Sequence, residues 1–244
     1  MGGVTYELHL HSCLSPCGDS EMTPASIAGM AMLNGVRVAA LTDHNTCKNC
    51  PAFYEACNNY GVVPIAGMEL TTMEEIHVVC LFESLEDAMA FDEFVESHRM
   101  RVKNRPDIFG DQLIMNADDE VIGVDEDLLI LATDLDLTTV ANIVREHGGV
   151  AIPAHIDKQS NGMLGILGTF PEEPGFRTVE FYDVKKIDEY KNLFPQIREM
   201  NIITNSDAHY LEHMRLDPPE FDCLEDSSSP ESLRRTVISH LRGI

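Results

Sequence analysis

The stretch Val36–Leu70, "VRVAALTDHNTCKNCPAFYEACNNYGVVPIAGMEL", decides the fold. It opens with an apolar, β-branched run ending at "TD" and continues through a helical segment from "CPAF" to Tyr60 with Gly61 just past its end. It then returns to an apolar run that closes on Glu69. Strand, helix and strand in immediate succession imply two parallel strands with the helix packed outside them.

The same rhythm extends in both directions. Further strands are predicted at "TYELHLH", "HVVCLF", "GVAIPAHI", "TVEFYD" and "NIITNSDAH", about seven in all. Between them, "TPASIAGMAMLNG" reads as a helix capped by Thr23, with Pro24 in its first turn and Gly35 past its end. "SLEDAMAFDEFVESHRMRVK" runs from acidic to basic residues, as a helix dipole favours. "DLTTVANIVREHGG", "KIDEYKNLFPQIREMN" and "SPESLRRTVISHLRGI" complete the set. Residues 104–134 break the alternation and read as a hairpin turned at Asn116–Asp119 followed by a helical turn. That segment is too short to bury a core of its own, so it is an insertion in a single domain spanning residues 1–244. The fold class is α/β, with a mostly parallel sheet and helices outside it.

Composition narrows the function. No apolar run approaches the roughly 20 residues that span a bilayer, and the N-terminus lacks the pattern of a secretion signal. Seven cysteines without such a signal read as thiols or metal ligands, so the expected compartment is the cytoplasm. A net charge of −24 disfavours a membrane surface or long duplex nucleic acid, both of which need a basic face. A small phosphorylated substrate is the expected partner, because metal ions invert the charge inside a single cleft.

Six of the ten histidines, His9, His11, His44, His77, His155 and His209, lie at or beside predicted strands, mostly at their C-terminal ends. In a parallel α/β sheet or barrel those ends share one face. Carboxylates accompany them at Asp19, Asp43, Glu69, Asp157 and Asp207. Imidazole with carboxylate suits zinc, manganese or iron, and the ligands outnumber what one ion can use, so two or three divalent ions are expected. Asp43 faces away from its neighbour His44 on the strand and reads as a residue that orients a ligand.

"HLHS", "LTDHN", "GMEL", "HVV", "PAHID" and "NSDAH", in that order, resemble the polymerase and histidinol phosphatase (PHP) superfamily of metal-dependent phosphoesterases. The resemblance implies a distorted seven-stranded β/α barrel, similar to a TIM barrel, with a trinuclear metal centre. It further implies that His9, His11, Glu69 and Asp207 hold one ion, that a bridging Glu69 with His77 and His155 holds a second, and that Asp19, His44 and His209 hold a third. The expected reaction is attack of metal-activated hydroxide on phosphorus, on a phosphomonoester such as a nucleotide or nucleoside phosphate. Glu69, Asp43 and Lys158 are the catalytic candidates, with Lys158 as a cation on a phosphoryl oxygen and Arg101, Lys103 and Arg105 as a secondary patch. An amidohydrolase-type C–N hydrolase and a non-catalytic metal- or redox-sensing module remain as alternatives.

The cysteines raise a separate question. Cys13 and Cys17 follow the first strand, and Cys47 and Cys50 follow the second, which is the composition of a structural zinc site or an iron–sulfur cluster. Reduced thiols or a redox-sensitive pair are the other readings. Cys57, Cys80 and Cys223 read as core or incidental residues.

Overall fold

The structure, a computed structural model, describes residues 3–222, 224 and 229–244. Strands β1 (Val4–Glu7), β2 (Val38–Leu41), β3 (Val63–Thr71), β4 (His77–Phe82) and β7 (Gly149–Pro153) form a curled sheet, edged by the short β10 (Glu220–Phe221). Its order is β10-β1-β2-β3-β4-β7, parallel from β1 to β3 and antiparallel around β4. Strands β8 (Thr178–Glu180) and β9 (Asn201–Ile203) form a separate parallel pair. That pair meets the large sheet on both sides. Ile156 N–H donates to the Glu180 carbonyl, and Leu10 bridges Ala208.

All seven predicted strands are present, and the α/β barrel-like class holds. Seven strands do not form one continuous sheet, however: six strands make the curl, and β8 and β9 stand as a pair of their own. The predicted hairpin is β5 (Leu113–Met115) with β6 (Val121–Val124), but the helical turn beside it, α4 (Pro106–Phe109), precedes the hairpin instead of following it.

Helices α1 (Pro24–Leu33), α2 (Cys50–Tyr60), α3 (Leu85–Glu96) and α5 (Leu137–Glu146) pack on the outer face of the curl. The Thr23 side chain accepts from Ser26 N–H, as its position predicts. Helix α3 ends at Glu96, so the basic residues after it belong to a loop and do not complement its dipole. Pro195 ends α7 (Ile187–Leu193) and starts a 3-10 turn at Pro195–Glu199, because proline lacks the N–H that a continuous helix needs. One five-residue helix, α6 (Met163–Leu167), follows β7.

The inner face is plugged at one end by α8 (Pro230–Arg242). Its Leu233, Val237, Ile238 and Leu241 meet Val63, Ile65, Val79, Leu81, Val150 and Ile152. On β3 the same alternation that buries Val63 and Ile65 against α8 carries Glu69 inward at the opposite end. One strand face is therefore core at its start and a polar site at its finish.

Candidate metal centre

His9 and His11 owe their placement to a break in alternation. Val4, Tyr6 and Leu8 pack into the inner cluster while Leu10 packs into the outer one, so the alternation switches after Leu8 and both histidines face the site. His155 has φ +29° and Asp207 φ +52°, values that non-glycine residues rarely adopt and that recur where function fixes the backbone. For His155 the turn replaces an outward direction, since its neighbour Ala154 packs into the inner cluster.

These elements converge on Glu69, which is 1% exposed. Its Oε1 lies 2.8 Å from His77 Nδ1, 3.0 Å from His155 Nε2 and 3.3 Å from His9 Nε2. Its Oε2 lies 3.2 Å from both His11 Nε2 and His44 Nδ1. Asp207 Oδ1 stands 3.4 Å from His9 Nε2 and 3.3 Å from His11 Nε2. The ring of His209 lies against that of His11, with centroids 4.2 Å apart.

A set of buried residues fixes how the rings point. His9 Nδ1 lies 3.0 Å from Glu180 Oε1, and Asn205 Nδ2 donates to Glu180 Oε2 at 2.6 Å. Asp43 accepts from Ser12 N–H, Ser12 Oγ and Ser15 Oγ, each at 2.7 Å. The Ser15 hydroxyl, having donated its proton to Asp43, accepts from His11 Nδ1 at 3.0 Å. Asp43 is thus linked to His11 through the Ser15 hydroxyl. Glu180 escaped the sequence reading, because a glutamate inside "TVEFYD" carries no local signal of its partner 171 positions away.

The donor set fits divalent ions. With their Nδ1 positions held by acceptors, His9 and His11 turn two Nε2 atoms toward each other at 3.2 Å, a repulsive contact unless a cation lies between them. His44 Nδ1 and His77 Nδ1 are buried and make no hydrogen bond. Three overlapping groups bring their ligand atoms within 4.8 Å of one another: His9, His11, Glu69 and Asp207; His44, Glu69 and His77; and His11, His44 and His209.

Charge is tightly balanced here. Burial alone would raise the Glu69 carboxyl, but His77, His9 and His44 hold it well below the usual carboxylate range. Burial works against protonation of His9 and His11, yet the surrounding carboxylates win, and His11 is pushed up to about 9. Burial keeps His44 and His209 neutral, with His209 lowered to about 4, the form in which imidazole binds a metal.

Asp19 is not drawn into these groups. Its Oδ1 accepts from Glu21 N–H at 2.9 Å in an exposed turn, while its own N–H donates to the His209 carbonyl. Lys158 Nζ lies 2.7 Å from Asp207 Oδ2, on the wall of a cleft of about 230 Å³. His44, Glu69, His77, His155 and His209 line the same cleft. The secondary basic patch is neutralised: Arg101 pairs with Glu96 and Asp127, Lys103 with Glu126 and Asp127, and Arg105 with Asp107.

The four cysteines do not gather. Cys17 lies exposed at the cleft and Cys13 is buried beside Met115, whereas Cys47 and Cys50 both contact the Gly67 carbonyl. Among the described residues no cysteine joins a group of possible metal ligands. Cys57 and Cys80 are core residues, as expected, and Cys223 lies outside the described residues.

Comparison with known proteins extends this picture. A family model described as the PHP domain matches residues 7–151. A 5′-3′ exoribonuclease of Haemophilus influenzae is 31% identical over 112 residues, covering 44% of this chain and 39% of the relative. Endonuclease Q of Pyrococcus furiosus superposes with a TM-score of 0.62 at 18% identity, covering 85% of this chain and 49% of that one. A protein of Bifidobacterium adolescentis assigned as a metal-dependent phosphoesterase superposes at 0.59, with 15% identity and coverage of 99% and 97%. This chain therefore spans well under two thirds of the exoribonuclease and of endonuclease Q. Endonuclease Q has also been solved with a 27-mer duplex substrate carrying an abasic lesion at its active site. These relatives, a ribonuclease and an endonuclease solved on a duplex, overturn the expectation of a small phosphorylated partner with long duplex nucleic acid disfavoured. Net charge was a poor guide, because it averages over a surface while recognition is local. Among the described residues no helix is long and apolar enough to cross a membrane.

Proposed function

The chain belongs to the PHP domain family, and from that premise we propose that it hydrolyses phosphoester bonds in nucleic-acid strands, using two or three divalent ions held by its buried histidines and carboxylates. The observation that carries the proposal is the convergence of five imidazoles on the two oxygens of Glu69, all within 3.3 Å. When bound, zinc, manganese or iron would neutralise charge on phosphoryl oxygens and supply a water acidic enough to attack at neutral pH.

The chain's own residues have distinct parts in this reading. His9, His11, Glu69 and Asp207 would hold one ion, Glu69 with His77 and His155 a second, and His44 with His209 a third. Glu180, and Asp43 through Ser15, keep the first two rings in the tautomer that leaves Nε2 free. Lys158, 30% exposed at its side chain, reaches toward the phosphoryl group from the cleft wall. We read residues 1–244 as one unit with residues 104–134 inserted, and the free cysteines suit the reducing cytoplasm.

The exoribonuclease and endonuclease relatives support a nucleic-acid substrate. The test compares metal-loaded protein with His11→Ala on 5′-phosphorylated single-stranded RNA, on duplex DNA with an abasic site and on 4-nitrophenyl phosphate. Strand cleavage that disappears in the variant supports the proposal. Turnover of 4-nitrophenyl phosphate alone overturns the substrate class, and no turnover of any of the three overturns the hydrolase reading.

A further inference from the structure

A second cleft, of about 420 Å³, adjoins the metal cleft and is lined by Tyr182, Lys186, Ser206, His213 and Arg215 among others. The two share a wall. Ser206 precedes Asp207 in the chain, and the Lys158 ammonium that pairs with Asp207 sits 4.5 Å from the centre of the Tyr182 ring. Of its lining residues only Asn205, which holds Glu180, has a part in the roles above.

Its cations are anchored. Arg215 donates from one guanidinium nitrogen to Thr204 Oγ1 at 3.0 Å and from another to the Asn205 carbonyl at 2.7 Å. Lys186 Nζ donates to the Asp157 carbonyl at 3.2 Å and stands 3.6 Å from the Asp157 carboxylate. The Tyr182 backbone is held as well, with its N–H donating to Asp157 Oδ1 at 2.8 Å, while its side chain leaves the residue 55% exposed. The carboxylate of Asp183, which also lines the cleft, caps Lys185 N–H. In a chain of net charge −24, an exposed aromatic ring beside two anchored cations has the composition of a site for a base and a phosphate.

We propose that this cleft is a subsite for the nucleotide adjoining the scissile phosphate, with its base stacked on Tyr182 and its phosphate between Lys186 and Arg215. The proposal rests on the nucleic-acid reading above and makes the second cleft the feature that distinguishes a strand from an isolated phosphoester. Stacking tolerates any base, so the subsite selects for strand length and not for sequence.

The test uses the full metal-loaded chain. Binding of a fluorescently labelled tetranucleotide with phosphorothioate linkages is measured by anisotropy, and hydrolysis of bis(4-nitrophenyl) phosphate, too short to fill both clefts, is measured in parallel. Tyr182→Ala and Lys186→Ala are each expected to weaken tetranucleotide binding tenfold or more and to leave the short-substrate rate within twofold of wild type. Tyr182→Phe retains the ring and is expected to bind like wild type, which separates lost stacking from misfolding. Tetranucleotide binding that is undetectable in wild type, or unchanged in both alanine variants, overturns the subsite. Binding that depends on Tyr182 and Lys186 without hydrolysis of any ester leaves the subsite standing and removes the hydrolase reading.

Discussion

The Nε2 atoms of His9 and His11 face each other 3.2 Å apart, and both rings are fully buried. Because Glu180 and Ser15 hold the opposite nitrogens, the contact is tolerated only with a positive charge between the rings, either a proton or a metal ion. A divalent ion held between the rings would supply that charge.

Metal loading should for this reason stabilise the whole protein. An ion at a hundredfold excess over its Kd contributes about 2.7 kcal/mol, which for a chain of this size raises Tm by roughly 5–10 °C. Scanning calorimetry before and after chelation reads the shift, and elemental analysis reads the ions. Cys13→Ser should leave the metal content unchanged; a lost ion in that variant would restore a cysteine site.

Glu180→Gln keeps an oxygen near His9 but removes the charge that favours its Nδ1–H tautomer. Metal affinity should fall about 10- to 100-fold, with the far-UV circular dichroism spectrum unchanged. Titration against a competing chelator gives the affinity. Wild-type affinity in the variant would reduce Glu180 to a packing role.

Asp125 marks a different dependence, on pH. Burial alone would raise its carboxyl, but hydrogen bonds from Arg99 and Lys48 hold it below the ordinary value. A carboxylate with a lowered folded pKa contributes stability above its unfolded value of about 3.9, and that contribution is lost as the pH falls through and below it. Asp125→Asn should cost about 3–5 kcal/mol at pH 7, the usual loss when one partner of a buried pair is removed. The difference from wild type should shrink below pH 4. Urea titrations at both pH values test this, and a difference that does not change with pH would contradict it.

Gly67 lies two residues before Glu69, where β3 and β4 run so close that an added Cβ would stand 2.4 Å from the Cys80 carbonyl oxygen and 2.8 Å from Leu81 Cδ2. Gly67→Ala must push the strands apart and disturb Glu69 and His77 together. We expect about 1–3 kcal/mol of destabilisation and weaker metal binding, read by denaturant unfolding and by metal titration. Unchanged values in both would show that the strands yield freely.

By itself, the sequence determined the local elements and the histidine-rich character of the site. Apolar runs, caps and breakers are local signals, so seven strands and the start of α1 were legible, and strand-end histidines could be expected to share a face. The fusion of Ile187–Glu199 into one helix failed because Pro195 was outweighed by the surrounding periodicity. Tertiary structure alone decided the rest. Glu180 reaches His9 across 171 positions, His155 turns inward on a positive φ, Asp19 caps its own turn, and Cys13 and Cys17 do not join Cys47 and Cys50 in one group of ligands. Each of these depends on strand curvature or on a single backbone torsion. Such features are fixed by packing between distant segments, and no residue pattern along the chain records them.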